Sequence, residues 1–138
     1  MSAERSSSTA LSLVRLKRAR QHLKAARDLL SHDDFTDSVS RSYYAVFQAA
    51  RALLALDQLE SRKHSGVIAL FNRHFVKTGK VDKQLGAVLM DARRHREIAD
   101  YSDLAEFSRD DADAPLRDAE IFGEKIAALL GEKNEARR

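Results

Sequence analysis

The segment ARRHREIADYSD, residues 92–103, concentrates side chains that can handle a phosphate group. Three arginines and one histidine lie between Arg93 and Arg96, and an acid and a tyrosine follow at Asp100 and Tyr101. A guanidinium binds phosphate through paired hydrogen bonds, and an imidazole moves protons near neutral pH. The segment is therefore compatible with a solvated helix end, a phosphate-binding patch or the remnant of a nuclease site.

Within this segment, the helical pattern singles out Arg96. At about 100° per residue it falls in the same sector as Leu85, Leu89 and Ala92. A guanidinium on an apolar stripe needs a carboxylate or an interface, because burying it unpaired is costly. Asp100 can supply an i,i+4 ion pair, but a base placed before an acid adds only about a few tenths of a kcal/mol to an isolated helix. Helix stabilisation alone is thus a poor reason for this arginine.

A second polar pattern lies in SVSRSYYAVFQAARALL, residues 38–54. Arg41, Tyr44, Gln48 and Arg51 recur at spacings of three and four, which places them on one ridge of a helix, opposite its apolar face. The ridge is either solvated, with Tyr44 half-buried, or forms hydrogen bonds with the end of the fourth helix or with a second subunit.

The histidines do not form a recognisable metal motif. His64, His74 and His95 lack the spacing of a zinc site with supporting carboxylates, and the chain has no cysteine. No metal and no cofactor is predicted. His64 shares a helix face with Ile68 and Phe71, which favours a structural, hydrogen-bonded role. A catalytic role would require His64 or His74 to fold back towards Arg96.

Composition indicates one ordinary globular domain. The chain has 138 residues, 43% of them hydrophobic and 33% charged, with a net charge of +3. The first helical stretch is strongly basic and residues 103–118 are acidic. The basic residues are Arg15, Lys17, Arg18, Arg20, Lys24 and Arg27. This stripe either attracts RNA or an acidic partner, or is a solvated helix face. We predict a cytoplasmic protein with no membrane association, because no apolar run is long enough for a span and the first residues lack a signal-peptide core.

Helical periodicity dominates the chain, and strand signals are nearly absent. We predict an all-α, antiparallel four-to-five-helix bundle forming a single domain over residues 1–138, with a core of about 12–131 and frayed tails. Asp33 or Asp34 is expected to cap the second helix and Ser61 the third, and Gly79 to end the third. The fifth helix is signalled by Ser108 to Asp111 and by the apolar residues Ile121, Ile126, Leu129 and Leu130, and its continuous part is expected to start close to Pro115.

Three blocks resemble the HEPN domain (higher eukaryotes and prokaryotes nucleotide-binding), in particular the short single-domain bacterial and archaeal members. The blocks are SVSRSYYAVFQAARALLAL, KHSGVIALFNRHFVKTGKVDKQLG and REIADYSD. The resemblance covers roughly residues 12–131 and is densest from Ser38 to Tyr101. It implies a helical bundle that forms a homodimer, often encoded beside a minimal nucleotidyltransferase as a toxin–antitoxin pair.

The resemblance also implies a chemistry. Many HEPN proteins are metal-independent ribonucleases whose site is an arginine followed four to six residues later by a histidine, completed by the second subunit. Arg96 matches the arginine, but the residue five positions on is Tyr101, and no histidine follows His95. A tyrosine with a pKa near 10 is a poor base at neutral pH. We therefore expect binding of RNA or nucleotide phosphate, with ribonuclease activity weak or absent.

The resemblance and the two polar patterns together give a set of candidate site residues. The catalytic candidates are Arg96, Tyr101 and Asp100. The phosphate- or nucleotide-binding candidates are Arg96, Arg93, Arg41, Tyr44 and His64. Tyr101 is also the candidate acceptor of a nucleotidyl group from the partner enzyme. The alternative is a non-catalytic interaction bundle in which Arg96 and Asp100 specify a homodimer.

Overall fold

The structure is a computed structural model that describes residues 3–102 and 106–136, so Asp103 lies outside the described residues. It contains α1 (Ala3–Ser31), α2 (Phe35–Leu56), α3 (His64–Phe71), a π-helical turn (Asn72–Val76), α4 (Lys83–Tyr101) and α5 (Arg109–Ala136). The described residues include no strand, which confirms the all-α bundle. No described helix is both long and apolar enough to cross a membrane.

Helix α2 is the centre of the bundle and packs against each of the other four α-helices. Its apolar positions and its small alanines are almost all buried, including Ala49, Leu53 and Leu56 at 0% exposure. Small side chains let neighbouring helices approach closely, and close packing removes more apolar surface from water. The core therefore forms around α2, and side chains on its remaining polar edge are held by a rigid helix.

Two serine hydroxyls show how α1 lies against α2. Ser12 donates to the carbonyl oxygen of Ala52 at 2.8 Å, and Ser38 donates to that of Ala26 at 2.9 Å. Position 12 of α1 thus contacts position 52 of α2, and position 26 contacts position 38, so the two helices are antiparallel.

Helix α4 approaches the third helical segment at Gly86. A Cβ atom at Gly86 would lie 2.9 Å from the Asn72 side-chain oxygen and 3.0 Å from a Val76 methyl group, so only glycine fits without a shift. This contact fixes α4 against the π-helical turn that follows α3. Gly79 adopts a φ of +75°, as expected of a residue that ends a helix.

Two local predictions were wrong. Lys63, not Ser61, is the N-cap of α3, and the Ser61 hydroxyl bonds instead to the backbone of Lys63. Helix α5 begins at Arg109 and runs through Pro115, because Ser108 and Asp111 bond each other's backbone N–H as a capping box and start the helix earlier. Within α5, Ile121 is 50% exposed, whereas the next residue, Phe122, is fully buried in the core.

Candidate phosphate-binding site at the end of α4

Arg96 reaches from α4 to α2 and is held at both ends of its guanidinium. Its Nη2 donates to the Tyr44 hydroxyl at 3.1 Å, and its Nε lies 2.8 Å from an Asp100 carboxylate oxygen. The Nε–H is not aligned on that oxygen, so the Asp100 contact is an ion pair rather than a directed hydrogen bond. With the Arg96 side chain 18% exposed, the guanidinium is held in place and still partly open to solvent.

Three tyrosine rings surround this guanidinium. The Cζ atom of Arg96 lies 5.8 Å from the ring centre of Tyr43 and 5.6 Å from those of Tyr44 and Tyr101. These are cation–π distances, which stabilise the charged form. Burial alone lowers the pKa of Arg96, but the Tyr44 hydrogen bond and the charges of Asp100 and Tyr101 offset it and raise that pKa. Arg96 is thus a fixed positive charge.

Asp100 has a second partner. Its other carboxylate oxygen accepts a hydrogen bond of 2.6 Å from the Ser40 hydroxyl on α2. The carboxylate therefore ties the last turn of α4 to the start of α2 while it pairs with Arg96. This double role makes Asp100 a positioning residue for the guanidinium.

His64, at the start of α3, joins the site through Tyr43. The Tyr43 hydroxyl lies 2.7 Å from Nδ1 of His64, and the imidazole packs 4.3 Å from the Phe47 ring. Burial, followed by the positive charges of Arg96, Arg93 and Arg51, lowers the pKa of His64. Burial likewise raises the pKa of Tyr43, which keeps its proton. Both side chains are therefore neutral at pH 7.

His22 on α1 is a residue that the sequence reasoning missed. Its ring lies 5.6 Å from the Tyr44 ring, and its Nδ1 lies 3.2 Å from Nη1 of Arg41. Burial, followed by Arg41 and Arg18, lowers the pKa of His22. His22 sits beside Leu23 at the edge of the buried face of α1, and its contact with Tyr44 comes from docking α1 on α2, so no local sequence signal marked it.

The contacts described so far define the Arg96 cluster. Its members are Arg96, Asp100, Tyr101, Tyr43, Tyr44, His64 and His22. Arg41 joins it through His22, whereas Arg93 lies alongside, paired with Glu97 at 3.3 Å. The ridge on α2 thus faces α4 at Tyr44, but Arg51 turns to Glu60 instead. No hydrogen bond or ring contact joins His74 or His95 to the cluster among the described residues.

No group of three histidine, cysteine, aspartate or glutamate residues in the described part of the chain is arranged to hold a metal ion. What the cluster offers is a fixed cation, two neutral imidazoles and an exposed phenol, Tyr101, whose side chain is 73% exposed. These groups suit binding of a phosphate and movement of protons around it.

The model of the HEPN domain matches residues 13–129. The chain belongs to the HEPN family. A UPF0332 protein of Thermotoga maritima is 42% identical over 120 residues, which cover 87% of this chain and 91% of that protein. A Methanocaldococcus jannaschii protein named "Putative toxin MJ0142" is 32% identical over 119 residues, covering 86% of this chain and 81% of that protein. Another, "Putative toxin MJ0605", is 33% identical over 114 residues, covering 83% and 84%.

The HEPN match contains every residue of the Arg96 cluster, from His22 to Tyr101. The family assignment confirms the resemblance of the three blocks. The cluster is therefore part of the HEPN domain itself, not of an appended segment.

Proposed function

We propose that this HEPN protein binds RNA through a backbone phosphate at Arg96 and acts as the toxin-like member of a toxin–antitoxin pair with a minimal nucleotidyltransferase. The observation that carries the proposal is the state of Arg96. Its Nη2 and Nε are engaged by Tyr44 and Asp100, while its Nη1 has no hydrogen-bond partner among the described residues. A guanidinium that is held in place and has free N–H groups is a preorganised phosphate ligand.

Neighbouring charges support binding of a polyanion. Arg93 lies on the same helix, one turn before Arg96, and Arg41 extends the positive charge towards α1. The Arg93–Glu97 pair is exposed, with side chains 36% and 52% accessible, so it is weak and can open for a phosphate. We expect slow or absent RNA cleavage, since Tyr101 stands where active HEPN ribonucleases carry their histidine.

The names of the two Methanocaldococcus jannaschii relatives support the toxin-like role. In such a pair, the partner enzyme would transfer a nucleotidyl group from a nucleoside triphosphate to Tyr101. The hydroxyl oxygen loses its proton to solvent and bonds to the α-phosphorus, and the bond from that phosphorus to pyrophosphate breaks. The exposure of Tyr101 gives a partner access to it. Modification beside Arg96 would add a negative charge that competes with RNA for the guanidinium.

A binding experiment tests the proposal. Fluorescence anisotropy with a labelled single-stranded RNA should show binding that weakens steeply as salt rises, because counterions are released. Arg96→Ala should abolish this binding, and Arg117→Ala, which removes an equally charged but 75% exposed side chain on α5, should not. Binding that ignores salt, or that survives Arg96→Ala, contradicts the proposal.

A structural role as a homodimer is the second candidate, and one observation favours it. Met90, Ile98 and Tyr101 are 56%, 43% and 73% exposed. Their spacing of eight and three residues puts them within about 80° of one another on α4. An exposed apolar stripe of this kind suits a two-fold interface in which the two copies of α4 pack against each other.

Light scattering tests the dimer. We expect a dimer at micromolar concentration, and Ile98→Asp should convert it to a monomer of unchanged helicity. Ile121→Asp, at an equally exposed position on α5, is the matched control. If the unaltered protein is a monomer, the dimer proposal is wrong. That result does not bear on RNA binding, which the anisotropy experiment tests separately.

A further inference from the structure

Two arginines from neighbouring helices converge on one oxygen atom, away from the end of α4. Nη2 of Arg15, on α1, lies 2.5 Å from Oε1 of Glu60, and Nη2 of Arg51, on α2, lies 3.3 Å from the same atom. The other carboxylate oxygen of Glu60 has no hydrogen-bond partner among the described residues. A phosphate group presents more acceptor oxygens than a carboxylate, so it fits two convergent guanidiniums better than Glu60 does.

Arg15 requires an anion at this position, whereas Glu60 is free to move. The Arg15 side chain is 7% exposed, and burying a guanidinium without a counter-charge is costly. Glu60 lies in the connection between α2 and α3, outside any helix, and its side chain is 57% exposed. A cavity of about 230 Å³ opens beside Arg15 and Glu60, so the carboxylate can turn aside. The position must therefore hold an anion, but that anion need not be Glu60.

One carboxylate does not balance the arginines at this end of α2. Burial, followed by the charge of Arg15, lowers the pKa of Arg51, and the bond to Glu60 offsets this only in part. Arg18, on α1, adds a further positive charge that acts on Arg51. The pair thus stays cationic with Glu60 in place.

A continuous series of side chains connects this pair to the Arg96 cluster. Cζ of Arg51 lies 5.7 Å from the Phe47 ring centre, and the Phe47 ring lies 4.3 Å from the His64 ring. His64 in turn contacts the Tyr43 hydroxyl, and the Tyr43 ring centre lies 5.8 Å from Cζ of Arg96. The surface thus has a cation at each end and aromatic rings between them, which is the pattern that binds single-stranded nucleic acids.

The spacing of the two cationic ends suits one strand of RNA. Arg96 is bonded to Tyr44, and Arg51 follows seven residues later on α2, so the two ends are about 10 Å apart along that helix. This length corresponds to about three stacked nucleotides at roughly 3.4 Å each. A single strand can therefore place one phosphate at each end.

We propose that Arg15 and Arg51 form a second phosphate site for the RNA strand bound at Arg96, and that Glu60 fills this site in the free protein as a built-in competitor. This inference rests on the proposed binding of RNA phosphate at Arg96. When RNA binds, a backbone phosphate replaces the Glu60 carboxylate between the two guanidiniums, and the carboxylate turns to solvent. Glu60 thereby weakens RNA binding while it keeps the buried Arg15 paired in the free protein.

Fluorescence anisotropy with a labelled single-stranded RNA, measured over a range of salt concentrations, tests the inference. Glu60→Gln keeps the size of the side chain but removes its charge, so RNA should bind about threefold to tenfold tighter. The log–log dependence of affinity on salt should steepen by about one, because the freed arginines hold counterions that RNA releases. Glu124→Gln, the same change in the groove between α1 and α5, is the control for net charge and should stay within about twofold of the unaltered protein.

A second variant tests whether the gain depends on the arginine pair. Arg51→Gln should weaken RNA binding by about threefold to tenfold and make the salt dependence less steep by about one. In the double variant with Glu60→Gln, most of the gain should disappear, because the site has lost one of its two cations. Circular dichroism checks that each variant is folded.

A purely structural ion pair predicts the opposite sign. If Glu60 only ties its connection to α1, Glu60→Gln leaves Arg15 unpaired and RNA affinity stays the same or falls, which overturns the inference. A gain no larger than that of Glu124→Gln, or one that Arg51→Gln does not suppress, also overturns it. In those cases the proposed function stands as long as Arg96→Ala abolishes binding. If the unaltered protein does not bind RNA, or binds it without Arg96, the proposed function itself fails.

Discussion

The two sides of α2 differ in what they do with the same rigid helix. The side packed on α1 and α5 is made of small and aliphatic residues such as Ala49, Ala52 and Leu53, each at 0% exposure. The side towards α3 and α4 carries Tyr43 and Tyr44, whose hydroxyls reach His64 and Arg96. The apolar side stabilises the bundle. The polar side holds His64 and Arg96 in place through the two tyrosine hydroxyls.

This division explains why an arginine is kept on the apolar stripe of α4. Burial of apolar surface contributes roughly 25 cal/mol per Å² to folding. Because α2 buries its whole apolar side, the bundle is stable enough to hold polar groups on the other side of that helix. The polar side in turn requires partners for each group, and Tyr44, Asp100 and Ser40 provide them for Arg96. Changes on the two sides should therefore affect different properties.

The largest effect is expected on the apolar side. Leu53→Ala leaves a cavity at a fully buried position and should lower the free energy of unfolding by about 2–5 kcal/mol. RNA affinity of the folded variant should not change. Leu13→Ala, at a position 52% exposed on α1, is the control and should change stability by no more than about 0.5 kcal/mol. Chemical denaturation measures the free energy of unfolding of both variants. A loss of RNA affinity in folded Leu53→Ala would contradict the separation of the two sides of α2.

A gain of activity is expected on the polar side from Tyr101→His. It places an imidazole beside Arg96, where active HEPN ribonucleases carry theirs, and should raise the rate of RNA cleavage by about tenfold to 100-fold. Tyr101→Phe, which adds no titratable group, should give no increase. Rates are measured on end-labelled RNA, and an equal rate for the two variants would show that position 101 does not face the scissile phosphate.

A smaller effect is expected from removing one hydroxyl. Tyr44→Phe deletes the acceptor of the Arg96 Nη2 hydrogen bond and frees the guanidinium, which should weaken RNA binding several-fold and cost about 1 kcal/mol of stability. Thr78→Val removes a hydroxyl that bonds only backbone carbonyl oxygens near the end of the π-helical turn, and should leave RNA affinity unchanged. Equal anisotropy curves for Tyr44→Phe and the unaltered protein would mean that Asp100 alone positions Arg96.

The smallest effect is a dependence of stability on pH. The pKa values of His22 and His64 are lowered in the folded protein, so between those values and about 6.5 the unfolded chain binds more protons. The free energy of unfolding should therefore fall as pH drops below about 6.5. Thermal unfolding between pH 7.5 and 5.5 measures this, and the double change His22→Gln with His64→Gln should flatten the curve. An unchanged slope in that variant would mean that groups other than these two histidines titrate in this pH range. Glu60 and Asp111 are not such groups, because their pKa values are lowered and they titrate at more acidic pH.

Local signals predicted most of the helical framework. Gly79 ends its segment because a left-handed residue there needs no side chain, and the Ser108–Asp111 pair starts α5 through its own backbone contacts. The Pro115 prediction failed because this capping box adds a stretch of helix ahead of the proline. Ser61 failed as a cap because its hydroxyl bonds the backbone N–H and carbonyl oxygen of Lys63, and α3 begins only after that residue, at His64.

The sequence by itself determined that the protein is an all-α bundle of the HEPN family and that Arg96, on an apolar stripe, pairs with Asp100 four residues later. Both follow from interactions within one helix or from a pattern along the chain. Only the tertiary structure decided that Tyr44 binds Arg96, that Tyr43 joins His64 to it, and that His22 lies against Tyr44. Helical periodicity states which side of each helix is apolar. Which polar side chains meet is set by how four separate helices dock around α2, because packing the buried sides fixes the edges where the remaining side chains converge.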